Sequence, residues 1–220
     1  MGDRNLTIDI FFNSLLEKNV NFIIPRKIEL VYESSIKDDI DVVIKSCDFN
    51  KLRGVAVKLG FKMYRDSPIF HVYLYGAGPH YHFINHDKNI HIDVTEKWQH
   101  KSTNYDTCGS VVIKKWLPVH EELQIKMWES VESSSIVAWG RVASSEIELT
   151  HIMCHVLLDK DRVSSFYREK ISQLIGCVDI IILLRYLNLI FYKFSKKYVD
   201  LCKSRRFDDI HTEYLSFGEY

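Results

Sequence analysis

No charge of either sign is in surplus in this 220-residue chain: Lys plus Arg and Asp plus Glu both number 29, and the pI is about 7.1. A polyanion-binding surface spread over the whole protein is excluded, although a local basic patch is compatible with the balance. Four prolines and nine glycines are too few for collagen-like or low-complexity architecture. The five cysteines (Cys47, Cys108, Cys154, Cys177 and Cys202) are widely spaced, odd in number and contain no C-x-x-C pair. That pattern suits neither a disulfide framework nor a structural zinc site, so reduced thiols in the cytoplasm are the expectation. The N-terminal MGDRNLTIDIFFNSLLEKN has no basic segment ahead of an apolar one and does not read as a signal peptide. Residues 174–194 come nearest to a long apolar run, but Asp179, Arg185 and Lys193 interrupt it. A bilayer would have to bury at least one of these charges, so a buried globular helix is expected and no membrane span. What the chain does have is 46% hydrophobic and 26% charged residues, a balance that builds a packed core.

Along the chain, Leu6, Ile10, Phe11, Leu15 and Leu16 recur at helical spacing over residues 5–18. Asn19 ends that helix, and VNFII (20–24) reads as a buried strand. DIDVVI (39–44) is a second strand, and Asp48 is the expected N-cap of the helix FNKLRGVAVKL, which Gly60 closes. FKMYRD and IFHVYLYG read as strands, followed by a hairpin of HYHFIN (80–85) and IHIDVT (90–95) around His86–Asn89. Beyond Trp98, TCGSVVIKKW reads as a strand, PVHEELQIKMWESV as a short helix and IVAWGRV as an extended piece. From Ser144 onward the pattern is helical, with residues 179–206 as one continuous apolar-periodic stretch. The fold class is therefore α+β: residues 1–100 form an α/β core, and residues 101–220 form a mainly helical C-terminal region packing on it.

The sharpest chemical feature is Asp39-Ile40-Asp41. Strand alternation puts the two acids on one face and Ile40, Val42 and Ile44 on the other. Two carboxylates at i and i+2 repel, which a purely structural strand gains nothing from, whereas a hard divalent cation relieves the repulsion. Asp93, between Ile92 and Val94 in IHIDVT, is a third acid in the same setting, and aspartate is disfavoured inside strands. The plainer alternative is a solvated sheet face.

The order of helix, apolar strand, D-x-D strand, helix ending in L-G-F, hairpin and a third aspartate in h-h-D-h resembles the nucleotidyltransferase superfamily. Within it, NFIIPRKIELVYESSIKDDIDVVI is similar to a bacterial branch associated with surface-polysaccharide synthesis. The resemblance implies a mixed sheet with flanking helices that holds two magnesium ions (manganese being the alternative) on Asp39, Asp41 and Asp93. It implies a nucleoside triphosphate such as ATP as donor. The acceptor would be a hydroxyl, on a small molecule, sugar or cell-surface polysaccharide precursor. The superfamily also has a Gly-Ser turn upstream of D-x-D, and here no glycine stands between Gly2 and Gly54. Arg26, with a guanidinium matched to phosphate geometry, is the candidate replacement. Ser35, Lys45, His82 and His91 complete the candidate nucleotide- and phosphate-binding set.

A hairpin turn centred on Asp87-Lys88 pairs His82 with Asp93, Phe83 with Ile92 and Ile84 with His91. His80, His82, His91 and Asp93 then share one face. A histidine there orients the carboxylate, binds phosphate or moves a proton; equally, it only tolerates a half-exposed sheet. His80 and His82 as a zinc pair lack an obvious partner ligand in sequence. His71, Tyr73 and Tyr75 alternate onto one face and either line a base or sugar pocket or cover the sheet. His151 and His155 lack the glutamate of a zinc hydrolase helix and read as a packed or cleft-facing pair. Walker, dinucleotide-binding and serine-elbow motifs are absent. Two alternatives to the transferase are an inactive nucleotide-binding or interaction module and a toxin-type transferase acting on RNA or protein. The neutral charge lends nucleic acid no support.

Overall fold

The computed structural model describes residues 2–33, 35, 36, 38–65, 80–108, 111–160 and 162–218. They form two compact units, Met1–Gln99 with Val131–Val142, and His100–Ser130 with Ala143–Tyr220. The expected strand at 69–76, with His71, Tyr73 and Tyr75, lies outside the described residues.

The first unit opens with α1 (Gly2–Glu17), which buries Ile8, Phe11, Phe12 and Leu15. These are spaced three and four apart, as a core-facing stripe requires. Leu6 and Ile10, expected on that stripe, are instead 56% and 42% exposed. The buried stripe includes Phe12, whose ring stacks on Trp139 with centroids 4.1 Å apart, and that packing sets the helix rotation. β1 (Phe22–Ile23) and β2 (Ile40–Ile44) follow, then α2 (Phe49–Lys58), β3 (Lys62–Arg65), β4 (His80–Asn85) and β5 (Ile90–Thr95). The sheet order is β1-β2-β5-β4-β3, with β2 and β5 parallel and the other neighbours antiparallel. The parallel pair at the centre buries Ile40, Val42, Ile44, Ile90, Ile92 and Val94 on the core face. Gly60, at φ 78°, ends α2 where a side chain would be strained.

Asp48 precedes α2 but makes no capping hydrogen bond to it. Its carboxylate is buried and is spent on Asn21 and Lys51 instead. Asp48 thus stands at the N-cap position as expected, but its side chain is turned to Asn21 and Lys51 rather than to the first amides of its own helix.

β6 (Gln99–Cys108) and β7 (Val111–Pro118) form a separate two-stranded sheet, followed by α3 (Glu121–Glu129). The chain then returns to the first unit through β8 (Glu132–Ser133) and β9 (Arg141–Val142). There the Ile24 amide donates to the Arg141 carbonyl at 2.8 Å, and the Trp139 indole Nε1 donates to Asp9 at 2.6 Å. A Cβ on Gly140 would stand 2.5 Å from that of Ser134, so this turn closes only on glycine.

In the second unit, α4 (Ser145–Cys154) runs into a π-helical turn at His155–Asp159, followed by α5 (Ser165–Leu174), α6 (Ile180–Phe191), α7 (Phe194–Lys203) and α8 (Ile210–Leu215). The continuous stretch expected over 179–206 is broken at Tyr192, whose φ is 50°. Phe191 and Phe194 flank the break and both meet Tyr198 and Tyr214, a ring cluster that overrides local helix propensity. Only Leu183, Leu187 and Phe191 of α6 are buried, and Ile181 is 80% exposed. The apolar run is one half-buried helix face rather than a buried helix. Among the described residues no helix is long and apolar enough to cross a membrane.

Candidate metal centre

Three neighbouring strands build the site. The parallel register sets Asp41 beside Asp93, and the antiparallel one sets His82 beside Asp93, with Phe83 opposite Ile92 and Ile84 opposite His91. This is the register the apolar pairing required. With Phe83, Ile92 and Ile40 committed to the core, the two-residue period turns Asp41, Asp93, His80, His82 and His91 to the opposite face. One carboxylate oxygen from each of Asp39, Asp41 and Asp93 lies within 4.8 Å of the other two. The turn before Asp39 is closed by two backbone hydrogen bonds between Ser35 and Asp38, of 2.7 and 3.1 Å. The Asn89 side chain holds this turn through the Ile36 amide at 3.3 Å.

Crowded carboxylates show in Asp39, whose pKa is raised above the usual carboxylate value. Burial is the first cause, and the charges of Asp41 and Asp93 add to it, against weaker pulls from His91 and Arg26. Arg26 is buried, and its Nε donates to Asp41 Oδ2 at 2.8 Å. Asp93 Oδ1 is buried and accepts no hydrogen bond among the described residues. His80 Nδ1 and His82 Nδ1 stand 3.4 and 3.7 Å from it. His91 Nδ1 faces the Ile36 carbonyl at 3.3 Å, and His91 Nε2 faces His82 Nδ1 at 3.1 Å. A carbonyl only accepts, so a neutral His91 carries its proton on Nδ1 and accepts from His82 Nδ1–H.

Of the other candidates, Ser35 sits in the turn ahead of Asp39, and Arg26 joins the cluster through Asp41. Lys45 is not brought in. It is exposed and follows the far end of β2, four residues or roughly 13 Å from Asp41 at strand rise. In the second unit, His155 Nδ1 pairs with Asp159 at 2.9 Å, and Asp159 also accepts from the Lys101 amide at 2.6 Å. That histidine is a packed structural partner. The Ile36 carbonyl, which fixes the His91 tautomer, gave no signal in sequence, because backbone groups carry none.

In the folded state Asp39 holds its proton more tightly than in the unfolded chain, so its ionisation destabilises the fold as pH rises from about the model-peptide value of 3.9. Without metal at neutral pH, Asp39→Asn should raise stability by about 1 kcal/mol, the scale of like charges on neighbouring strands. For a chain of this size that is roughly 2–4 °C in Tm. The gain should vanish as the pH is lowered below that value. A thermal melt series would refute the crowding argument if the variant melted at or below the parent at pH 7.

No family model, no curated protein and no solved structure matches the chain.

Proposed function

We propose that the first unit is a magnesium-dependent nucleotidyltransferase of the superfamily the sequence resembles, with manganese as the alternative ion. The observation that carries this is the convergence of Asp39, Asp41 and Asp93 on one sheet face, with their carboxylate oxygens within 4.8 Å. The residues fit a hard cation. All three donors are oxygens, their mutual repulsion raises the Asp39 pKa in spite of His91 and Arg26, and a buried Asp93 oxygen accepts no hydrogen bond among the described residues.

When bound, two magnesium ions would neutralise the triphosphate and activate an acceptor hydroxyl. Asp39 and Asp41 would hold the ion on the triphosphate; Asp41 and Asp93 would hold the one at the acceptor. The acceptor oxygen forms a bond to the α-phosphorus, the bond from that phosphorus to the bridging oxygen breaks, and pyrophosphate leaves. The acceptor proton passes to solvent. Arg26 joins the acids through Asp41, and its guanidinium would face the triphosphate there, matched to phosphate geometry. The acceptor class is a small molecule or sugar.

Titration calorimetry of ATP with and without magnesium tests this reading; binding that ignores the metal would remove it. A second test concerns Arg26. Arg26→Ala should weaken triphosphate binding by about 1.5–3 kcal/mol, the scale of a charge-assisted contact, and Arg26→Lys should restore only part. Unchanged affinity in Arg26→Ala would confine the residue to neutralising Asp41. That same pairing, together with the absence of a glycine turn, favours one other reading, a nucleotide-binding module without turnover. Magnesium-dependent binding with no pyrophosphate release on any hydroxyl acceptor would select it.

A further inference from the structure

We infer that a further metal position, built from nitrogen as well as oxygen donors, adjoins the magnesium site of the three carboxylates and takes a transition-metal ion. One ligand atom each from His80, His82 and Asp93 lies within 4.8 Å of the others. The hairpin register that sets His82 beside Asp93 supplies the histidine pair with its third ligand. Zinc bonds of about 2.0–2.1 Å to imidazole and carboxylate imply tetrahedral edges of roughly 3.4 Å. His80 Nδ1 stands 3.4 Å, and His82 Nδ1 3.7 Å, from the same oxygen, Asp93 Oδ1. That oxygen is buried and accepts no hydrogen bond among the described residues. His82 contributes Nδ1 once the proton it shares with His91 is displaced, as metals displace protons from their ligands.

The donor set decides the ion. Two imidazoles and one carboxylate favour zinc or cobalt, whereas magnesium and manganese prefer all-oxygen sites and magnesium retains its waters. Asp93 is common to both positions, so this inference rests partly on the proposed function but does not require a nucleotide.

Cobalt(II) is the probe, because a tetrahedral nitrogen-bearing site gives intense visible absorption and an all-oxygen octahedral one does not. The whole chain, stripped with chelator and titrated with cobalt, should develop that absorption, and zinc should displace it. His80→Gln and His82→Ala should each weaken cobalt binding by at least about tenfold, since even outer-sphere changes cost 10–100-fold. Asp39→Asn should leave the absorption in place. Loss of magnesium–ATP binding in Asp39→Asn with the cobalt spectrum retained separates the two positions. The more exposed His82 guards against a misfolded His80 variant, and circular dichroism checks both. Weak octahedral absorption, or cobalt affinity unchanged in both histidine variants, would overturn the inference and leave the histidines as hydrogen-bond partners of Asp93.

Discussion

Asp93→Asn is expected to reduce magnesium-dependent triphosphate binding by about 100-fold or more while the protein stays folded. Changes even outside the ligand shell cost 10–100-fold in metal affinity, and a direct ligand should cost no less. Asp93 is the most telling of the three acids, because Asp41 on one neighbouring strand and His82 on the other are both in register with it. Asparagine keeps the shape and the strand but removes the charge, and removing one of several repelling acids rarely destabilises a sheet. Asp41→Asn should behave alike for binding, with one difference. It strands the buried Arg26 without its 2.8 Å carboxylate partner, so some stability is lost with affinity. Asp38→Asn is the control, an exposed acid two residues from the start of β2 whose carboxylate pairs with Lys27 at 3.0 Å. It should bind as the parent does. Calorimetric titration of ATP with magnesium across these variants separates the cluster from general acidity, and equal affinity in Asp93→Asn and Asp38→Asn would sink the metal assignment.

The part of the site that lies on strands was legible because alternation is a rigid rule. Once Phe83, Ile92 and Ile40 go inward, the acids and histidines have only one face left. The hairpin register followed from the same constraint, since a one-residue slip would set Phe83 against Asp93. Positions fixed by tertiary packing were not legible. The periodic pattern assigned Leu6 and Ile10 to the buried face of α1, but Trp139, far along the chain, stacks on Phe12 and turns the helix. The break at Tyr192 carries neither glycine nor proline, and is held by rings on both sides of it. Arg26 was marked by its place after an apolar strand, yet its partner, Asp41, lies 15 residues away. Lys45 is close to the acids in sequence, but it follows the far end of β2 and strand rise carries it away from them. Residues 131–142 bear no local mark of their return to the first unit, because the short bridges they make depend on surfaces elsewhere.

Asp48→Ala is expected to destabilise the first unit by about 2 kcal/mol, the scale of a hydrogen-bonded charge removed from partly buried donors. Asp48 Oδ2 accepts from the Asn21 amide and from Asn21 Nδ2, each at 2.9 Å, and Oδ1 accepts from Lys51 Nζ at 2.8 Å. These contacts tie the entry of α2 to the residue just before β1, 27 residues back. The Lys51 hydrogen bond first, and the Asn21 amide second, hold the Asp48 pKa down at about 2. A carboxyl with a folded pKa below its unfolded value contributes fully above about pH 4. That contribution is lost as the pH falls through about 2. The gap between parent and Asp48→Ala should therefore be constant near neutrality and close between those limits. Asp48→Ser decides between this anchor and an ordinary helix cap. Serine caps nearly as well as aspartate and would leave stability almost unchanged if capping were the role. Its hydroxyl is too short to replace a carboxylate that holds Asn21 and Lys51 together, so Asp48→Ser should be nearly as damaging as alanine. Denaturant titrations at pH 7 and pH 3 measure both effects, and a serine variant as stable as the parent would return Asp48 to the N-cap role.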